Sequence, residues 1–185
     1  MSFFKSIAIV LSLFIGSHVF AAEPKAEIIE HCSHDIMKLV KQNQLPAEAA
    51  SKLHMMRVTE VADGFQVVAV LDHNEDHTNP SAHIRFQYGA DAKMTSFQYV
   101  DGYVNPNATP FTQKSTAKLF DLAAEVLLDS TDANLREYAG TVDMMHLSFD
   151  KVRKAALFEM VDANKKELNL WLDLDGHVLE VKFLN

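Results

Sequence analysis

Cysteine is nearly absent from this chain. Cys32 is the only one, so no internal disulfide can form and the fold must rest on its core. Glycine is scarce too, with six in 185 residues, which leaves little scope for the glycine-rich loops that cradle phosphates. No Gly-x-Ser-x-Gly, no His-Glu-x-x-His and no Cys-His pair at a family spacing occurs. The common signatures of nucleophilic and metal-assisted hydrolysis are therefore missing. Basic residues are outnumbered, 17 against 25 acidic, giving a formal charge of −8. That balance disfavours nucleic acid and anionic membranes, both of which need basic patches, and it suits a cationic protein partner.

What is present begins with an export leader. Lys5 is followed by the apolar run Ile7 to Ile15, and Val19-Phe20-Ala21 supplies the small residues a signal peptidase needs. Residues 1–21 therefore read as a signal peptide, and the run is too short to favour a lasting membrane span. The mature protein is expected to be periplasmic or secreted, with no membrane span once the leader is gone.

The first helix is predicted from about Pro24 to Gln42. Ile28, Ile29, Cys32, Ile36, Leu39 and Val40 recur at helical spacing. Cys32 lies in that stripe and reads as a buried small apolar residue. His31 and His34 flank it but fall at the edge and on the polar side of the stripe, so the three do not converge on a metal.

From Leu53 the period changes to two. Met55 to Val61 and Phe65 to Leu71 read as a hairpin joined by Ala62-Asp63-Gly64. Phe65 to Leu71 is nearly continuous in apolar residues, as expected of a strand covered on both faces. A polar loop, Asp72 to Pro80, opens like a calcium loop, but His77 and His83 stand where glycine and glutamate are required. Strands at Ala82 to Tyr88 and Lys93 to Asp101 follow. Asn107-Ala108-Thr109 matches a glycosylation acceptor before an unfavourable Pro110. A second helix capped by Thr109 or Thr112 carries Leu119, Phe120, Ala123, Ala124, Leu127 and Leu128. A short helix, Asp132 to Tyr138, is closed by Gly140. Strands at Val142 to Phe149 and Lys154 to Val161 come next, and then a last hairpin.

In that hairpin Asp175-Gly176 is the pair that supplies positive φ at both centres of a type I′ turn. The register then sets Leu172 against Leu179, Leu170 against Val181 and Leu168 against Phe183 on one face. Asn169, Trp171 and Asp173 stand on the other face against Lys182, Glu180 and Val178.

The order repeats. A shift of 84 residues lays Ile84, Phe86 and Tyr88 on Leu168, Leu170 and Leu172. A shift of 91 lays Ile28, Ile29 and Cys32 on Leu119, Phe120 and Ala123. The fold class is α+β: two tandem units, each a helix plus a four-stranded antiparallel sheet, over 22–108 and 109–185. Two such units in an exported chain resemble the β-lactamase inhibitor protein family and, more loosely, tandem PepSY-type domains. Asp173-Leu174-Asp175-Gly176-His177-Val178-Leu179 is the local stretch nearest a PepSY strand end. The resemblance implies a concave sheet surface that binds a protein.

The candidate binding residues are Trp171, Asp173 and Glu180 in the second unit and Arg85, Gln87 and Gln98 in the first, all on the outer sheet face. Acid pairs such as Asp173 with Glu180 read as solvated surface rather than catalytic groups. The expected function is an exported, non-enzymatic, inhibitor-like protein binder with no cofactor and no metal. The alternative is a carrier of a small ligand or lipid, held in a pocket between helix and sheet lined by Phe86, Phe97, Leu170 and Phe183.

Overall fold

The computed structural model describes residues 23–71, 80–104 and 115–184. The leader at 1–21, the acidic loop at 72–79, Asn107 and the proposed caps Thr109 and Thr112 lie outside the described residues.

Helix α1 (Lys25–Lys41) buries Ile28, Ile29, Cys32, Ile36 and Leu39 along one stripe, as their spacing requires. Burial pushes the Cys32 thiol up, which leaves it a packing residue rather than a nucleophile. A single turn, α2 (Glu48–Ser51), leads into the strands. Helix α3 (Thr116–Leu128) begins at Ser115, whose hydroxyl oxygen accepts the Lys118 N–H at 3.3 Å. Helix α4 (Ala133–Thr141) is capped by Asp132, which accepts the Asn134 N–H at 2.8 Å. It does not stop at Gly140 as the sequence suggested. It continues one residue to Thr141, whose hydroxyl lies 3.2 Å from Asp162 Oδ2.

The strands are β1 (Leu53–Val61), β2 (Gly64–Leu71), β3 (His83–Gly89), β4 (Met94–Val100), β5 (Val142–Asp150), β6 (Ala155–Asp162), β7 (Glu167–Leu172) and β8 (Val178–Leu184). They form one antiparallel sheet in the order β4-β3-β2-β1-β5-β6-β7-β8. Each set of four consecutive strands is a meander, and each is preceded by helices, so the chain is α+β with the expected element order. The meanders meet only where Met55, Met56 and Arg57 pair with His146, Met145 and Met144. This pairing has local two-fold character about Met56 and Met145, because Met55 and Met144 hold equivalent places on their own strands. A bulge flanks the junction on each strand, at Leu53/Met55 and at Val142/Met144.

Helices α1 and α3 pack together over one sheet face, and a single apolar cluster fills the space between. Phe86, Phe120, Phe158, Met56 and Leu170 are fully buried in it. The other face carries no helix among the described residues. Strand β2 shows the consequence. Its side chains alternate between buried and half-buried, with Val67 and Ala69 inside and Val68 and Val70 outside. The expectation that both of its faces are covered is therefore incorrect; a continuous apolar run here marks one buried and one half-open face.

Two turns also differ from expectation. The β1–β2 connection is two residues, Ala62-Asp63, and Gly64 already pairs with Val61. In the last hairpin only Gly176 has positive φ, at 90°, and its N–H bonds to Asp173 O at 3.0 Å. This is a three-residue turn ending on glycine, not type I′. Its cause is Asp173, whose Oδ1 accepts the Asp175 and His177 N–H groups, each at 2.8 Å. A further bulge at Trp171/Leu172 sets Leu172 against Val178, so Leu179, expected on the buried face, is 53% exposed. Pairing from Leu168 through Trp171 follows the predicted register. Gly176→Val should still cost ~1–2 kcal/mol, because a β-branched residue is strained at positive φ. At ~2–4 °C per kcal/mol, a thermal melt should show a drop of several degrees, and an unchanged midpoint would contradict the turn.

Candidate functional site

The uncovered sheet face is built by alternation along eight strands, interrupted at the bulges. One row crosses it without interruption, from Val100 through His83, Val70, Met55, His146, Glu159 and Asn169 to Lys182. The next row carries Gln98, Arg85, Val68, Arg57, Met144 and Val161. The middle of the face is thus apolar and half-buried, at Met55, Val68, Val70, Met144, Leu157 and Val161, while charged and amide side chains stand among and beside it.

At the centre two histidines meet. The bulge in β1 turns His54 to the same side as Met55. His54 Nε2 lies 2.7 Å from His146 Nε2, and the rings meet edge to face with centroids 4.3 Å apart. One nitrogen must donate and the other accept at that distance. His146 Nδ1 lies 3.1 Å from Glu159 Oε2, so a carboxylate orients the ring that reaches across the junction. Beside it Arg57 Nη2 approaches Met144 Sδ at 3.7 Å. Past Arg57 the strands diverge, and a cleft of about 410 Å³ opens among Lys25, Arg57, Thr59, Asp143, Met144 and Lys165. Lys25 Nζ reaches Asp143 Oδ1 at 2.6 Å on its wall.

Comparison with known proteins assigns no family. No family model matches the chain. No curated protein matches it either. Among solved structures, a Clostridium difficile 630 protein provisionally described as a lipoprotein aligns with a TM-score of 0.35 and 13% identity. The alignment covers 82% of this chain and 91% of that one. A likeness of that size carries no functional argument. No helix among the described residues is long and apolar enough to cross a membrane.

Of the residues singled out from sequence, Asp173 lies in the last turn, the others belong to the outer side, and they do not form one site. Arg85 pairs with Gln98 and Gln87 with Ser96 on β3 and β4. Trp171 pairs with Glu180 on β7 and β8, as expected. Five strand spacings separate β3 from β7, roughly 24 Å at ~4.8 Å each. Trp171 is also not an open anchor. The residue is only 7% exposed, the Arg153 guanidinium sits 4.2 Å above its ring, and its Nε1–H donates to Asp150 Oδ2 at 2.9 Å. Arg153 Nη1 in turn reaches Glu180 Oε2 at 2.5 Å. The Arg153 backbone N–H, then the Trp171 and Val152 N–H groups, hold the Asp150 carboxyl below its usual range. Asp173 is spent on its turn: the His177 N–H leads the contacts that hold its carboxyl low. The strand β5 alternation already put Met144, His146 and Ser148 on one side, but His54 could not be seen there, because a bulge leaves no mark in a two-residue period.

Proposed function

We propose that the protein is an exported, non-enzymatic protein binder that takes its partner on the outer sheet face, across the β1–β5 junction. The observation that carries this reading is the uncovered face with Met55, Val68, Val70, Met144, Leu157 and Val161 half-exposed at its middle. Seven spacings of ~4.8 Å by strands of ~20 Å give roughly 700 Å², close to the ~800 Å² per side of a standard protein interface. An apolar middle that holds Arg57 and the His54–His146 pair, with Arg85, Glu159 and Glu180 around it, resembles the anatomy of such interfaces. Export rests on the leader at 1–21, and a cationic partner suits the charge of −8. The resemblance to the inhibitor family, whose sheet surface binds an enzyme, points the same way. The carrier alternative is weakened because Phe86 and Leu170 have no exposure, and Phe97 and Phe183 pack against the same cluster.

The test uses the tagged, processed protein to capture partners from its own envelope fraction, followed by affinity measurement with the identified partner. Val68→Lys and Met144→Lys should each weaken binding at least ~10-fold, the loss of ~1.4 kcal/mol typical of a central interface residue. Both should melt within a few degrees of the parent. Lys38→Glu, exposed on α1, should bind normally. Full affinity in both face variants, or loss in the α1 variant alone, would move the site off the sheet.

A further inference from the structure

On the helical side, far from the outer sheet face, three ligand-type side chains converge. Glu30 and His34 stand one turn apart on α1, and Asp121 faces them from α3; their ligand atoms all lie within 4.8 Å of one another. Asp121 is a charged residue with 0% exposure at the interface of two helices, a placement that is costly unless both oxygens are satisfied. Oδ2 is satisfied, since it accepts from Lys118 Nζ. Oδ1 is not: it is buried and has no hydrogen-bond partner. His34 Nε2 is only 2.9 Å from it, an ion pair when the ring is protonated, but no hydrogen bond reaches Oδ1. Two ligand atoms at ~2.1 Å from one ion lie ~3.0 Å apart at a right angle and ~3.4 Å apart at the tetrahedral angle. A shared ion that both atoms face accounts for the short separation and the missing hydrogen bond together.

We propose that Glu30, His34 and Asp121 form a divalent metal site of the borderline, zinc-like class, with solvent completing the coordination. One imidazole and two carboxylates suit such an ion better than calcium, which takes oxygen ligands alone. The two carboxylates match its charge. Lys118 serves as the outer partner that fixes the Asp121 carboxylate through Oδ2. Access comes from the His34 side. That ring is 52% exposed and borders a cleft of about 340 Å³ with His31, Asp35, Lys38 and Ala92. Because α1 and α3 belong to different halves of the chain, an ion here would clamp them together.

The experiment titrates Zn²⁺ into chelator-treated full-length processed protein by calorimetry and follows the melt. One ion per chain should bind, and at one hundred times its Kd the midpoint should rise by roughly 5–10 °C. His34→Gln, an exposed change that leaves folding intact, should weaken binding at least ~10-fold. Asp121→Asn, which keeps volume and one oxygen for Lys118, should do the same. His31→Gln and His146→Gln should bind as the parent does. No stoichiometric binding, or binding that survives His34→Gln and is lost in His146→Gln, would overturn the assignment.

Discussion

Gly64→Ala should be among the most damaging single changes in this protein, and Gly140→Ala should act in the opposite direction. Gly64 has φ of +142°, and a Cβ there would stand 2.1 Å from Tyr88 O, 2.6 Å from Gly89 C and 2.9 Å from Ala90 N. All three are backbone atoms of the neighbouring strand or the turn after it, so no side chain can swing aside. The β2–β3 ladder would have to open at Gly64↔Gly89, loosening Phe65 and Tyr88 beside it. Backbone strain and lost packing together should cost ~3–4 kcal/mol, or roughly 6–16 °C in a thermal melt. Gly140 lies inside α4 with nothing within 4 Å of an added Cβ. Alanine there should gain ~0.5–1 kcal/mol by stiffening the unfolded chain. Far-UV circular dichroism of the two variants reads both signs. Equal midpoints would mean that β2 and β3 do not meet closely at Gly64.

Trp171→Ala should cost ~3–5 kcal/mol of stability, as truncation of a buried aromatic does. The change removes the Asp150 hydrogen bond and the platform under Arg153 as well as apolar area. The emission of this single tryptophan should be blue-shifted and protected from iodide in the native protein. Arg153→Ala should uncover the ring without unfolding the sheet, so its emission should move to the red while the circular dichroism spectrum stays the same. A red, freely quenched emission in the parent protein would contradict the Arg153 cover.

Much of the fold could be read from local periods. The stripe on α1 and the alternation in β3 and β5 depend on residues a few positions apart, and the pairing of Leu168 with Phe183 lies within one hairpin. The errors have physical causes of the same local kind. Asp173 competes for backbone N–H groups and shifts the last hairpin, while β2 is apolar on a face that stays half-open. The outer sheet face could be read from the alternation, but the histidine pair at its centre and the cluster at Asp121 could not, because each is assembled from distant strands or helices. His54 and His146 are brought together by a pairing that no turn connects, and Asp121 sits among Leu119, Phe120, Ala123 and Ala124, where a helical stripe predicts only an apolar interior.

The three-pair junction between β1 and β5 also sets an order of events in time. Within each meander, partner strands are neighbours in sequence and, apart from β2 and β3, are joined by short turns, whereas Met55 and His146 must find each other across about 90 residues. Closing a loop of that length costs ~4 kcal/mol of chain entropy. Three residue pairs cannot repay that alone, but the same closure brings α1 against α3, so strand junction and helix pair must form in one step. That step should be the slow, late one on the way in, since rates fall as contacts become non-local. On the way out, the two meanders would part as separate cooperative units, with hydrogen exchange at Met56 and Met145 reporting the opening before either hairpin stack melts.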